Sequence, residues 1–341
     1  MRCRRAFCKR ASALLLSVLL GITGCGMELQ PESLEDPYAH KEEGLTVVGV
    51  SQVGSESVWR TANTASIQRV FTQENGYFLI FDNARQKQEN QIKALRSFIS
   101  QQVDYIVFSP IEEEGWDTVL QEAKDAGIPV ILMDRNVKVA DESLYTTRVG
   151  SDFTREGADA GQWLADYLQE QGRQQETINI AILAGTEGAT STIGRSEGFL
   201  SVAQEHENWN ILEQADAEFT TAKGREEMER MLNTYGDIDV VVSQNDDMAF
   251  GAVEAISEAG LTTGTEGDVI VISFDAVRKA LEMVEKGIIN VDIECNPEQG
   301  GLVERVIQKL ERGEAVEKAY YVQEKVFTPE NVGDYIDSRS Y

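Results

Sequence analysis

The run Gly127-Ile-Pro-Val-Ile-Leu-Met-Asp134-Arg135-Asn136 decides how the rest of the chain is read. Five apolar residues, Ile128 to Leu132 with Pro129 near the front, lead without a charge into an Asp-Arg-Asn cluster. A strand that is apolar on both faces belongs in a parallel sheet covered by helices, and in open α/β sheets ligands bind where such strands stop. Asp134 and Arg135 are therefore the first candidate site residues. Taken alone, the pair also reads as a loop salt bridge, the usual fate of an adjacent Asp and Arg. Repetition elsewhere in the chain favours the site.

On either side of that run the pattern is strand then helix. Apolar runs at 45–50, 77–81 and 105–108 predict strands, and helical spacing over 58–73, 86–101 and 116–126 predicts the helices between them. A second series follows, with strands at 178–183, 209–214, 240–242 and 269–274 and helices over 191–206, 223–235 and 248–259. Detail repeats too. Val103-Asp104 precedes a strand closed by Ser109 as Ile238-Asp239 precedes one closed by Ser243, and Asp125-Ala126-Gly127 matches Glu258-Ala259-Gly260, each leading to a strand that ends in Asp134 or Asp275. The reading is α/β: two copies of a doubly wound unit, each with right-handed crossovers and a parallel sheet.

The chain has 341 residues, which is more than one ordinary core and fits two globular units. Its start carries Arg2, Arg4, Arg5, Lys9 and Arg10, then an apolar stretch over 11–20 and Gly21-Ile22-Thr23-Gly24-Cys25. This reads as an export signal over 1–24, too short to span a bilayer as a mature helix. Its end resembles a bacterial lipobox, which implies cleavage before Cys25 and lipidation of that thiol, a plain secretory signal being the alternative. Residues 25–43, rich in Glu, Pro and polar side chains, read as a tether. The expected location is thus extracytoplasmic, at a membrane reached through lipid alone. Loss of 1–24 removes five positive charges and no acidic one, taking the net charge from −27 to −32. Such a surface repels nucleic acid. Of four cysteines only Cys295 lies beyond the signal and its lipid site, so no internal disulfide is expected.

If the two copies face each other across their strand ends, one wall of the cleft carries Ser55 to Arg60, Ser109 and Asp134-Arg135. The other carries Gly185 to Arg195, Phe219, Asn245-Asp246 and Asp275. Asp134, Asp275 and Asn245 accept hydrogen bonds, Arg60, Arg135 and Arg195 donate from planar forks, and Trp59 and Phe219 offer flat faces. Sugars need that mixture: vicinal hydroxyls match a guanidinium or carboxylate in pairs, and the CH-rich ring face stacks on aromatics. Blander readings exist for each. Trp59 and Phe219 also fit core positions, Arg195 an exposed helix face, and Glu56 a solvated loop.

Catalysis is poorly supported. GxGxxG after a strand, GxxxxGK[ST] and HExxH are all missing, and His40 and His206 are the only histidines. No catalytic residue, metal ligand or cofactor is expected. Two cleft aspartates suggest a glycosidase pair, but neighbouring arginines are expected to hold both ionised, which removes the acid.

Four blocks carry a resemblance that covers residues 45 to about 327: Ser51-Gln-Val-Gly-Ser-Glu-Ser-Val-Trp-Arg60, Gln86-Lys-Gln-Glu-Asn-Gln-Ile-Lys-Ala-Leu-Arg-Ser-Phe98, Leu132-Met-Asp-Arg135 and Gln244-Asn-Asp-Asp-Met248. They resemble the periplasmic sugar-binding proteins of ABC importers, type I, ribose/galactose cluster, and within it the galactofuranose-binding type. The resemblance implies two lobes joined by a three-strand hinge, 44–149 with 296–320 and 150–295 with 321–341, closing on a monosaccharide. It implies Ser55, Glu56, Trp59, Arg60, Ser109, Asp134, Arg135, Arg195, Phe219, Asn245 and Asp275 as ligand-binding residues. Ribose binders place paired phenylalanines in the first loop, asparagine at the position of Ser109 and glutamine at that of Cys295, so the departures argue against ribose. The expectation is a monomeric lipoprotein that captures galactofuranose or a related aldose for an ABC permease. The alternative is a receptor that presents sugar to a membrane sensor kinase, since either partner reads the closed state. Permease and ATPase genes beside this one would mark the first, a sensor-kinase gene the second. The fold with a repressor's DNA-binding head is excluded by the export signal and the charge.

Overall fold

A computed structural model describes residues 44–341, so the expected signal, the lipid site Cys25 and the tether over 25–43 lie outside the described residues. Two six-stranded sheets organise the described chain. The first is built from β1 (Thr46–Gln52), β2 (Tyr77–Asn83), β3 (Tyr105–Phe108), β4 (Val130–Met133), β5 (Thr147–Gly150) and β11 (Ala319–Tyr321), in the order β11-β5-β4-β3-β1-β2. The second repeats that order with β6 (Ile178–Ala184), β7 (Trp209–Asp216), β8 (Val240–Ser243), β9 (Ile270–Asp275), β10 (Val291–Glu294) and β12 (Val326–Phe327), as β12-β10-β9-β8-β6-β7. All pairings between these strands are parallel except that of β12 with β10. The antiparallel edge strand is a departure from the expected parallel sheets.

Helices cover both faces of each sheet, as a strand that is apolar on both sides requires. The first sheet is flanked by α1 (Val58–Val70), α2 (Gln88–Ser100) and α3 (Asp117–Asp125), with α9 (Gly300–Glu311) returning to pack on α1. The second is flanked by α4 (Phe153–Glu170), α5 (Thr190–Ala203), α6 (Thr221–Tyr235), α7 (Asp246–Glu258) and α8 (Arg278–Glu285), and α10 (Gly333–Ile336) packs on α8. Among the described residues, no helix is long and apolar enough to cross a membrane.

The internal repeat extends to individual hydrogen bonds. Asp104 accepts the Val47 N–H at 2.8 Å and its own N–H donates to the Val47 carbonyl at 2.9 Å; Asp239 makes the same two bonds, 2.8 and 2.9 Å, with Asn179. Each aspartate thereby sets the register of its central strand. The strands at the carboxyl edge of each lobe also end alike, with Asp134 at φ 64° and Asp275 at φ 110°. A non-glycine residue in that region is strained, and such strain gathers at functional sites.

Every predicted strand and helix is present, with ends within three residues of expectation. The segments that carried no expectation contain β5, α4 and the elements after Asp275. β5 reads poorly because Arg148 sits in its middle; that guanidinium is buried against backbone, donating to the Asp134 carbonyl at 2.8 and 3.0 Å and to the Ser151 carbonyl at 2.5 Å. Three crossings join the lobes: Ser151-Asp152 after β5, Cys295 to Gln299 after β10, and Val322 to Lys325 between β11 and β12. They touch one another. Ser151 Oγ lies 3.3 Å from Cys295 Sγ and also bonds Glu324, whose Oε1 accepts the Asn296 N–H at 2.8 Å.

Candidate ligand-binding cleft

The carboxyl ends of both sheets turn toward each other, and the side chains they deliver meet around one small space with a cavity of about 30 Å³. The first wall begins at Ser57, which caps α1 by accepting the Arg60 N–H at 3.0 Å. That cap turns Trp59 and Arg60 inward, and both are buried. Arg60 is gripped on three sides: Nη2 lies 2.7 Å from Asp134 Oδ2, Nε 3.0 Å from Glu56 Oε1, and Nη1 donates to Gln52 Oε1 at 3.2 Å. Ser109 donates to the same Asp134 oxygen at 3.0 Å. Arg135 points further in. Its Nη1 donates to the Ile111 carbonyl at 3.0 Å, while Nε, 3.9 Å from Asp134 Oδ2, is buried without a hydrogen-bond partner.

Charge on this wall is unevenly balanced. Burial alone would raise the Asp134 carboxyl, but Arg60 and then Arg135 outweigh it and hold it below the usual carboxylate range. Burial and the neighbouring Arg60 lower Arg135 to about 10. Arg135 is thus a buried cation with an unused donor, held ready for an acceptor from outside the chain.

The opposite wall centres on Arg195 of α5. Helices α4 and α5 cross in near contact because Gly157 and Gly198 lie between them: a Cβ at Gly157 would meet the Arg195 carbonyl at 2.2 Å and one at Gly198 the Thr154 carbonyl at 2.0 Å. That closeness brings Glu156 Oε2 within 2.7 Å of Arg195 Nε. Arg195 also donates to the Gln244 carbonyl, and its Nη2 lies 3.4 Å from Asp275 Oδ1. The guanidinium stays charged: burial would lower it, and Glu156 first among its anions drives it up instead. Asn245 caps α7, accepting the Met248 N–H at 2.9 Å, and donates to the Phe219 carbonyl at 3.2 Å. The Phe219 ring lies over Gly185, where any Cβ would fall 1.8 Å from the ring.

Nine of the eleven expected ligand residues line the space: Glu56, Trp59, Arg60, Asp134, Arg135, Arg195, Phe219, Asn245 and Asp275. Ser109 stands one layer behind, fully buried on Asp134 and within 3.4 Å of Arg60 Nη1. Ser55 does not reach the space; it is exposed and accepts a bond from Asn83 at 3.1 Å. Trp59 and Phe219 prove to be core and lining at once, each packed in an apolar cluster. Arg195 is buried rather than on an exposed helix face, and Glu56 is folded inward by Arg60. The expectation that arginines hold both aspartates ionised fails for Asp275. Burial raises its carboxyl well above the ordinary range, and Asp246, Glu156 and Asp247 add to that against Arg195.

Ser57 and Ser191, inside the stretches 55–60 and 185–195 expected on the walls, also line the space, as do Phe153 and Cys295, which were not expected there. Ser57 was legible as the residue before a helix start. Phe153 and the supporting Glu156 fall in the segment that showed no clear pattern. Cys295 was noted only as a departure from ribose binders; its thiol is pushed well up by burial and then by Glu156, so it is a neutral, inert group here.

Comparison with known proteins agrees with this geometry. The model of the family described as periplasmic binding protein domain matches residues 48–314. The galactofuranose-binding protein YtfQ of Escherichia coli (strain K12) is 37% identical over 296 residues, 86% of this chain and 91% of that one. The periplasmic binding protein component of the arabinose ABC transporter from Shewanella sp. ANA-3, solved with α- and β-L-arabinofuranose, is 43% identical with a TM-score of 0.80, covering 86% of this chain and 96% of that one. A Mycobacterium smegmatis protein solved in complex with β-D-fucofuranose is 41% identical with a TM-score of 0.82, covering 86% and 95%. The two-lobed fold, the facing strand ends and these matches over most of the chain lead to one conclusion: this chain belongs to the periplasmic binding protein domain family.

Proposed function

We propose that this protein is an extracytoplasmic, lipid-anchored binding protein of an ABC-type sugar importer that closes its lobes on one monosaccharide in furanose form. It is a binding protein and not an enzyme. The observation that carries the reading is the convergence of Asp134-Arg135 from one lobe with Arg195 and Asp275 from the other in one buried space beside Trp59 and Phe219. A furanose offers vicinal hydroxyls to such forks and a CH face to such rings, and a wrong epimer would leave buried polar groups unmatched at about 1–3 kcal/mol each. The sugars named for the three similar proteins, galactofuranose, arabinofuranose and fucofuranose, support the ring form.

Hinged closure is supported by direct bonds between lobes far from the crossings: Asn136 N–H to Thr190 Oγ1 at 2.9 Å and Glu113 N–H to the Gly188 carbonyl at 2.9 Å. We place the lobes at 44–149 with 296–320 and 150–295 with 321–341, Gly150 and Tyr321 being the last residues of strands in the first sheet. The partner is then an ABC permease that reads the closed form, the anchor is lipid on Cys25, and the working form is a monomer. A thermal-shift screen of pentoses and hexoses tests the function: furanose-forming aldoses should raise the melting temperature, and nucleotides, amino acids and metals should not. Labelling by a palmitate analogue that Cys25→Ser removes tests the anchor.

A further inference from the structure

The turn that delivers Asp275 is strained, and two buried acids hold it. Asp275 and Ala276 both have positive φ, 110° and 59°, an arrangement that is strained and persists only where the surroundings enforce it. The Ala276 N–H donates to Asp292 Oδ1 at 3.1 Å, and the Val277 N–H to Asp246 Oδ2 at 2.8 Å. Ser273 Oγ donates to the other Asp246 oxygen at 2.5 Å. Asp246 opens α7 and Asp292 lies in β10, so the bracket ties two elements to the end of β9.

Both carboxyl groups are fully buried and stand within hydrogen-bonding reach of each other. Asp292 Oδ2 is buried with no hydrogen-bond donor facing it. Two carboxylates only accept, so a bond between them requires a proton. The charged groups around the pair supply no cation of its own. Arg195 is committed to Glu156 and Asp275, Arg339 pairs with Glu294 at 2.7 Å, and the remaining neighbours Asp275, Asp247 and Glu156 are acidic.

We propose that Asp246 and Asp292 are positioning residues for Asp275: sharing a proton, they lock the 275–277 turn and so aim the Asp275 carboxyl into the cleft. Burial supports the proton, since it pushes the Asp246 carboxyl well up and raises Asp292 to about 7. Such a pair titrates as a unit.

The positioning role rests on the sugar-binding reading; the proton does not. Asp292→Asn keeps the acceptor for Ala276 and offers Asp246 an amide donor in place of the shared proton, whereas Asp292→Ala removes both. Isothermal titration with arabinose, galactofuranose and fucose should find Asp292→Asn within threefold of the unsubstituted protein, and Asp292→Ala weaker by tenfold or more while still folded by circular dichroism. The infrared difference spectrum between the unsubstituted protein and Asp292→Asn at pH 7 should show one protonated carboxylic acid lost. Equal affinity in Asp292→Ala, or no protonated acid in the difference spectrum, overturns the proposal. If the unsubstituted protein binds none of these sugars, the sugar reading falls and the positioning role falls with it, recognisable because the infrared difference persists.

Discussion

The guanidinium carbon of Arg135 lies 5.3 Å from the centroid of the Phe219 ring, one side chain from the end of β4 and the other from the turn after β7. Two lobes thus meet through a cation and an aromatic face, a contact that strengthens when water is excluded. Burial and Arg60 make the charge on Arg135 costly. Arg135→Ala should therefore weaken sugar binding by at least about 30-fold, the loss of one buried charged hydrogen-bonding group worth about 2 kcal/mol. The melting temperature of the sugar-free protein should move by no more than ~2 °C. Calorimetric titration and thermal unfolding together check both halves.

Asp134→Ala should behave differently. It removes the anion that Arg60 approaches at 2.7 Å and leaves two buried guanidinium groups facing each other. Breaking a buried pair from one side costs about 3–5 kcal/mol. Denaturant unfolding should show that loss, together with loss of sugar binding.

Glu156→Ala should weaken both stability and affinity although Glu156 does not line the cleft. Its Oε2 holds Arg195 at 2.7 Å, so its removal leaves a buried cation with only Asp275 and a carbonyl. The expected cost is again about 3–5 kcal/mol in unfolding, with affinity lowered at least tenfold, and Glu156→Gln should recover part of each.

How much of this was written in the sequence depends on the kind of pattern each feature makes. The strands ending at Asp134 and Asp275 are apolar runs stopped by charge, and periodicity finds them. The Asp104 and Asp239 register bonds were visible as a repeated dipeptide before a strand. Arg195 was placed on the second wall by the repeat and again by the resemblance, but its supporter Glu156 was not found, because that pair depends on a glycine-mediated crossing of α4 and α5 that leaves no local periodic signal. The charged strand β5 hides behind Arg148, whose partners are backbone carbonyls brought near only by folding. Ser55 shows the reverse failure: its position in a matching block suggested the cleft, while it sits exposed in the bend between β1 and α1.

Stability should fall as the solution is made alkaline. Burial first, and Glu156 second, raise the Glu324 carboxyl at the crossings to about 9, against about 4.3 in an unfolded chain. The folded protein keeps a proton that the unfolded chain gives up, so this contribution is fully present below about pH 4.3 and is lost as pH rises toward 9. Melting temperatures measured from pH 5 to 9.5 should decline, and Glu324→Gln should flatten the decline. An identical slope in the variant would place the titration elsewhere.

Calorimetric titration of galactofuranose and arabinose into the unsubstituted protein, Arg135→Ala and Asp275→Ala tests most directly whether both lobes grip one sugar. Saturable one-to-one binding is expected for the unsubstituted protein, with loss in Arg135→Ala and a tenfold or greater weakening in Asp275→Ala. Absence of binding in the unsubstituted protein, or affinity unchanged by either substitution, would contradict it.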